Sequence, residues 1–186
     1  MMMRPSNEDK RAWCEAYGTD REARWADWAR QNLDMDVAVN PDKVADKFTF
    51  DLLFNGKPAD LKTVRTPFYL AQQMFGLDPQ YTVTFNDKDA KRYRELYPDI
   101  TVIFDVWFDP STYQRPGEEP IFVQPMHLVA YGPLDGEPRS VSRAIVESGY
   151  HRHHYNARVF DTAGNAKSSW LLDVRKLWVV LDEDPR

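Results

Sequence analysis

Asp51, Asp60 and Lys62 are the residues of this chain whose types and spacing could do chemistry. Asn55-Gly56 lies midway between the two aspartates and is the strongest short signal for a two-residue hairpin, because both turn positions need positive φ. With that turn, Phe54 faces Lys57, Leu53 faces Pro58, Leu52 faces Ala59, and Asp51 faces Asp60. Side chains alternate with a period of two. Phe48, Phe50, Leu52, Phe54, Ala59 and Leu61 then share an apolar, core-facing side, while Thr49, Asp51, Leu53, Pro58, Asp60 and Lys62 share the other. Directly opposed residues have Cβ atoms about 5 Å apart, where two unit charges repel by roughly 3 kcal/mol at an effective dielectric of about 20. A divalent cation between the aspartates turns that repulsion into attraction, and carboxylate oxygens are ligands that Mg²⁺ prefers. Lys62 is able to neutralise the pair in part, or to hold and polarise an attacking water. The alternative is a solvent-facing strand in which Lys62 is simply the salt-bridge partner of Asp51 and Asp60.

The elements that must position these groups follow from the same pattern reading. A helix is expected from about Asp20 to Leu33, capped by Thr19 or Asp20, with Ala23, Trp25, Ala26, Trp28 and Ala29 as its apolar surface. Val37 to Lys47 reads as a connection with a turn at Asn40-Pro41-Asp42. Phe48–Phe54 and Lys57–Thr63 are the hairpin strands, with Pro58 at an edge or non-bonded position. Pro67 to Phe75 reads as a short helix begun at proline. Tyr81–Phe85 reads as a strand, Asp87–Leu96 as an amphipathic helix, and Asp99–Phe108 as a buried strand. Phe108–Glu119 is a polar loop, Ile121–Tyr131 a strand, Ser140–Ser148 a short helix, and Ser169–Leu181 one or two closing strands. The predicted class is α/β (α+β), a mixed central β-sheet flanked by helices, in a single domain over 1–186.

Bulk properties narrow the function. The chain has 186 residues, 42% hydrophobic and 28% charged, long enough for a core without staples. No apolar run is long enough to span a membrane, and Met1 to Asp9 carries no apolar leader, so a cytoplasmic protein with no membrane partner is expected. The single cysteine, Cys14, excludes an internal disulfide and a cysteine-based zinc site. The net charge of −5 counts against a simple nucleic-acid coat but not against an enzyme that gathers carboxylates around a metal. A local basic zone is available from Arg139 to Arg158. There Arg152, Arg158 and His154 suit phosphate oxygens, although surface arginines on a solvated face would look the same. His151, His153 and His154 with Asn156 lack the ligand number of a structural zinc site. No phosphate loop, dinucleotide fingerprint or serine-hydrolase elbow is present.

The run from Phe50 to Thr63 resembles the core of the PD-(D/E)xK nuclease superfamily, with its restriction-endonuclease-like fold. That pattern has an aspartate near the start of one strand and an acid-x-lysine triplet on the next. The resemblance covers roughly residues 20–108, leaving 109–186 as a C-terminal extension completing the sheet. Phe50 stands where the family's proline would be. The Gln-x-x-x-Tyr element of RecB-like members is absent, because Gly76 and Leu77 follow Gln72 and Gln73 at that spacing. The resemblance implies a Mg²⁺-dependent DNA endonuclease, with Mn²⁺ able to substitute, and by analogy a homodimer. Asp51, Asp60 and the Leu61 carbonyl would be metal ligands. Lys62 would orient the water or steady the phosphate. Glu22 would be the acid from the preceding helix, ahead of Asp27 and Glu15. The competing expectations are a non-catalytic binding or assembly module of the same fold, and an acidic protein-interaction domain.

Overall fold

The computed structural model describes residues 21–46, 49–136, 138–152 and 168–185. The chain is α+β, with a mixed central sheet flanked by a few helices, as the order of its elements predicts. It divides into two compact units at the step from Leu61 to Lys62, within a strand.

In the first unit, α1 covers residues 21–33 and buries Trp25, Ala26 and Ala29, while Arg21, Arg24, Asp27 and Arg30 stay in solvent. This is the stripe expected from its apolar spacing. The helix is followed by Asp34 at a φ of 52°, and the Met35 N–H donates back to the Ala29 carbonyl at 3.4 Å. The sequence reading of Val37–Lys47 as a bare connection is corrected here. Val37–Val39 forms a strand, β1, antiparallel to β2 (Leu52–Phe54). Three residues are too few for alternation to stand out. The predicted turn is present as a 3-10 turn over Pro41–Val44, whose cap Asn40 accepts from the Asp42 N–H through its side chain. β2 is shorter than expected, because Thr49 to Asp51 are not in the strand. β3 spans Lys57–Val64 and pairs with β2 in the predicted register: Phe54 with Lys57, Leu53 with Pro58, Leu52 with Ala59. Asn55 and Gly56 adopt φ of 51° and 72°, the two positive values that this turn demands.

The second unit carries α2 (Ala71–Phe75), β4 (Thr82–Asn86), α3 (Asp87–Leu96), β5 (Thr101–Phe108), β6 (Ser111–Tyr113), β7 (Ile121–Val123) and β8 (Met126–Pro133). It continues with α4 (Val141–Ala144), β9 (Ile145–Arg152), β10 (Ser168–Asp173), a 3-10 turn (Val174–Lys176) and β11 (Trp178–Glu183). Strands β5, β8 and β11 adjoin in that order, both pairings antiparallel. A three-stranded antiparallel sheet has the order β4-β10-β9. From Val102 to Val106 every residue of β5 is buried, so both faces of this strand are covered and its apolar run is continuous. α3 has the predicted bounds: Asn86 caps it by accepting from the Lys88 N–H, and Ala90 and Tyr93 form its buried stripe.

Four expectations in this unit are corrected. Pro67–Leu70 is not helical, so α2 begins only at Ala71. Tyr113 and its neighbours in the expected loop form β6, paired with β7. Ile121–Tyr131 is broken at Gln124-Pro125 into β7 and β8. The helix expected over Ser140–Ser148 ends at Ala144, where β-branched Ile145 and Val146 open β9.

A buried polar cluster crosses β5 and β8. His127 Nε2 lies 3.0 Å from Asp105 Oδ1, and Arg65 donates to Asp105 Oδ2 at 2.6 Å. Burial pushes the Asp105 carboxyl up, but the hydrogen bond to His127 and the Arg65 guanidinium outweigh it and hold the pKa below the usual range. Among the described residues no helix is long and apolar enough to cross a membrane.

Candidate metal centre

Asp51 ends the bend that leads into β2, and Asp60 lies on β3. One further step of the ladder beyond Leu52 and Ala59 sets them side by side. Neither is a solvent-facing strand residue: Asp60 is 2% exposed, and the Asp51 side chain is 17% exposed. The Leu61 N–H donates to Asp51 Oδ2 at 3.2 Å, which ties the carboxylate to the facing strand. The backbone before Asp51 is held by Asn40, itself 1% exposed. Its side-chain amide donates to the Phe50 carbonyl at 3.0 Å, and its N–H donates to the Asp51 carbonyl at 3.0 Å.

Asn40 also launches the turn that delivers Lys43. The Lys43 ammonium bridges two carboxylates, donating to Glu22 Oε1 at 2.5 Å and to Asp51 Oδ1. Lys43, Glu22 and Asp51 side chains are each largely shielded from water. Glu22, the expected helix acid, is therefore part of this cluster. The neutralising role that the spacing offers to Lys62 is taken at Asp51 by Lys43, which belongs to no motif. Asn40, a turn residue by its sequence context, also holds the backbone at Asp51.

The electrostatics follow from the packing. Burial raises the Asp51 pKa, the negative charge of Asp60 raises it further, and Lys43 pulls it back, leaving it at about 7. Burial works against the Lys43 ammonium, but Asp51 and Glu22 outweigh it and hold the pKa above the ordinary lysine value. Lys43 thus stays charged at neutral pH, and Asp51 exchanges its proton there. Glu22 Oε2 is buried with no hydrogen-bond partner. The donors are hard oxygens of the kind that Mg²⁺ takes, and Glu22 retains an unused acceptor. As the side chains stand, no group of three His, Cys, Asp or Glu residues is placed to hold a metal ion among the described residues. An ammonium lies between Glu22 and Asp51 instead.

The other expected site residues are distributed as follows. Lys62 Nζ pairs with Asp89 Oδ2 at 3.0 Å and sits 5.7 Å from the Tyr93 ring centre. Asp27 pairs with Arg30 on the exposed side of α1. Gln73 donates to Glu118 Oε2 at 3.0 Å on the surface, and Gln72 is exposed. Arg152 lies on β9, across from Ser168. His154, Arg158, Glu15 and Cys14 fall outside the described residues. No known protein family, curated protein or solved structure matches the chain.

Proposed function

We propose that the chain is a Mg²⁺-dependent nuclease with a restriction-endonuclease-like core, acting on phosphodiester bonds of DNA. The observation that carries this reading is the burial of Asp51 and Asp60 side by side, with the Asp51 pKa lifted to about 7. A fold shaped by stability alone gains nothing from that repulsion, whereas strongly perturbed carboxylates cluster at functional sites. Asp51, Asp60 and the Leu61 carbonyl would hold the metal, with Glu22 as a further ligand. Bound there, Mg²⁺ would lower the pKa of a water and neutralise charge on the phosphate.

The chain's own groups have separate tasks. Asp51 must lose its proton to act as a ligand, which it does near neutral pH. Lys43 must withdraw its ammonium from Glu22 and Asp51, and until then it supplies the positive charge that the carboxylates need. Lys62 follows Asp60 by two residues on β3 and so shares its side of the strand. Its ammonium would hold the attacking water or steady the phosphate, and Asp89 restrains it meanwhile.

A second reading, a non-catalytic module, is favoured by one observation: Lys43 already satisfies Glu22 and Asp51 without a metal. The test incubates the protein and its Lys62→Ala variant with supercoiled, linear and single-stranded DNA in Mg²⁺ or Mn²⁺. Metal-dependent cutting that disappears in Lys62→Ala, with an unchanged melting curve, supports the nuclease. No cutting together with no heat of Mg²⁺ binding would reject it for the non-catalytic module.

A further inference from the structure

Among the described residues β11 is paired on one side only. Its ladder with β8 runs from Trp178 opposite Tyr131 to Glu183 opposite His127, and no described strand pairs with its other edge. Val179 and Val180 are 37% and 39% exposed. Val179 sits opposite Ala130, and Val180 stands outside the ladder with β8 at a bulge. Natural edge strands guard themselves with charges, proline or bulges. Here the bulge at Val180 is the one such device within Trp178 to Leu181, an otherwise unbroken apolar run, and the charges lie only at its ends. Arg175 and Lys176 precede it, and Asp182, Glu183 and Asp184 follow it; all five are exposed.

We propose that two copies of the chain associate by antiparallel pairing of their β11 edges. The charge order makes the strand complementary to itself. Lys176 closes the 3-10 turn before β11, and Asp182 and Glu183 end the strand. Antiparallel pairing of two β11 edges brings this basic turn beside the acidic end of the second copy, and two-fold symmetry makes the contact twice. A parallel pairing would set like charges together at both ends. The receiving end is shaped for a cation as well. A groove of about 480 Å³ is lined by Asp78, Tyr81, Phe122, Asp182, Glu183 and Asp184 among others. Acidic walls with aromatic rings suit an ammonium or guanidinium group, and Arg175 of the same chain already stacks over the Tyr81 ring at 4.3 Å. The backbone edge supplies affinity and the charges fix direction. None of this depends on the nuclease reading.

Sedimentation velocity of the full chain in low salt, from about 1 to 100 µM, tests the proposal. The expected species has twice the mass of one chain. Lys176→Glu and Val180→Lys should each weaken association by about tenfold or more without moving the melting curve, since both residues are exposed. Combining Lys176→Glu with Asp182→Lys and Glu183→Lys should restore the dimer. A monomer across the whole range would overturn the proposal. So would a dimer that both single variants leave intact, or a charge swap that restores nothing.

Discussion

Replacing Lys43 by methionine keeps most of the side-chain length and removes the cation that bridges Glu22 and Asp51. Each ion pair is worth roughly 4 kcal/mol of gross attraction at about 4 Å in an effective dielectric near 20. Removing one partner of a buried pair costs about 3–5 kcal/mol net. Asp51 softens the loss by taking up a proton, since its pKa is already about 7 and Lys43 is what lowers it. The low end, about 3 kcal/mol, is therefore expected, which is a fall of about 6–12 °C in melting midpoint for a chain of this length. The sign with pH follows from the raised folded-state value. Stability from Asp51 is fully present below its unfolded pKa of about 4 and is lost as pH rises through about 7. The variant loses more than the parent at about pH 8 than at about pH 6. Magnesium should reverse the order. In the parent, binding must first displace the ammonium; in Lys43→Met it need not. Relief of about 3 kcal/mol corresponds to an apparent Mg²⁺ affinity up to about a hundredfold higher, read by isothermal titration and by a larger Mg²⁺-induced rise in melting temperature. A variant that melts with the parent and gains nothing in Mg²⁺ affinity would refute the role given to Lys43.

Three other outcomes are expected. Asp105→Asn weakens the contacts to His127 and Arg65 and should cost about 2–3 kcal/mol. Because the folded-state pKa is held low, the contribution of Asp105 is present above about pH 4 and lost as pH falls through the folded value. Urea midpoints measured against pH should therefore show a flatter acid limb in the variant. Gly132→Ala places a methyl 2.3 Å from the Arg139 carbonyl oxygen and 3.1 Å from Leu177 Cδ2; urea unfolding should give a loss of about 1–3 kcal/mol, and no loss would mean that the backbone yields freely. Gly56→Val forces a β-branched residue to a φ of 72° and should cost about 1–2 kcal/mol in the same assay.

The parts legible in the sequence were those fixed by local chemistry. Asn55-Gly56 fixed the hairpin register, because few other pairs tolerate two positive φ values. The amphipathic pattern over Asp87–Leu96 marked the bounds of α3. The single class of fold followed from the order of such segments. Misreadings arose where a local preference was cut short. Pro67 suggested a helix start that the chain delays to Ala71, and Gln124-Pro125 interrupts what reads as one apolar strand. At the candidate centre, the two aspartates were legible through pairing. Their burial was not, since alternation says which residues share a side but not what covers it. Lys43 was illegible for another reason. Its partner Glu22 lies far along the chain, and a lysine in a polar turn looks like any surface lysine. The Lys62–Asp89 pair was hidden in the same way.

The tight turn at Asn55-Gly56 has a kinetic consequence. Glu22, Lys43, Asp51 and Asp60 all belong to one unbroken stretch of chain, and the hairpin within it closes over only two residues. Hairpins of this kind form in about 1–10 µs, and short closures cost little entropy. A hairpin of this length thus sets the two aspartates side by side through local closure alone. Their repulsion is a toll on the nascent hairpin, and Lys43, eight positions before Asp51, offsets it at Asp51 in the finished fold.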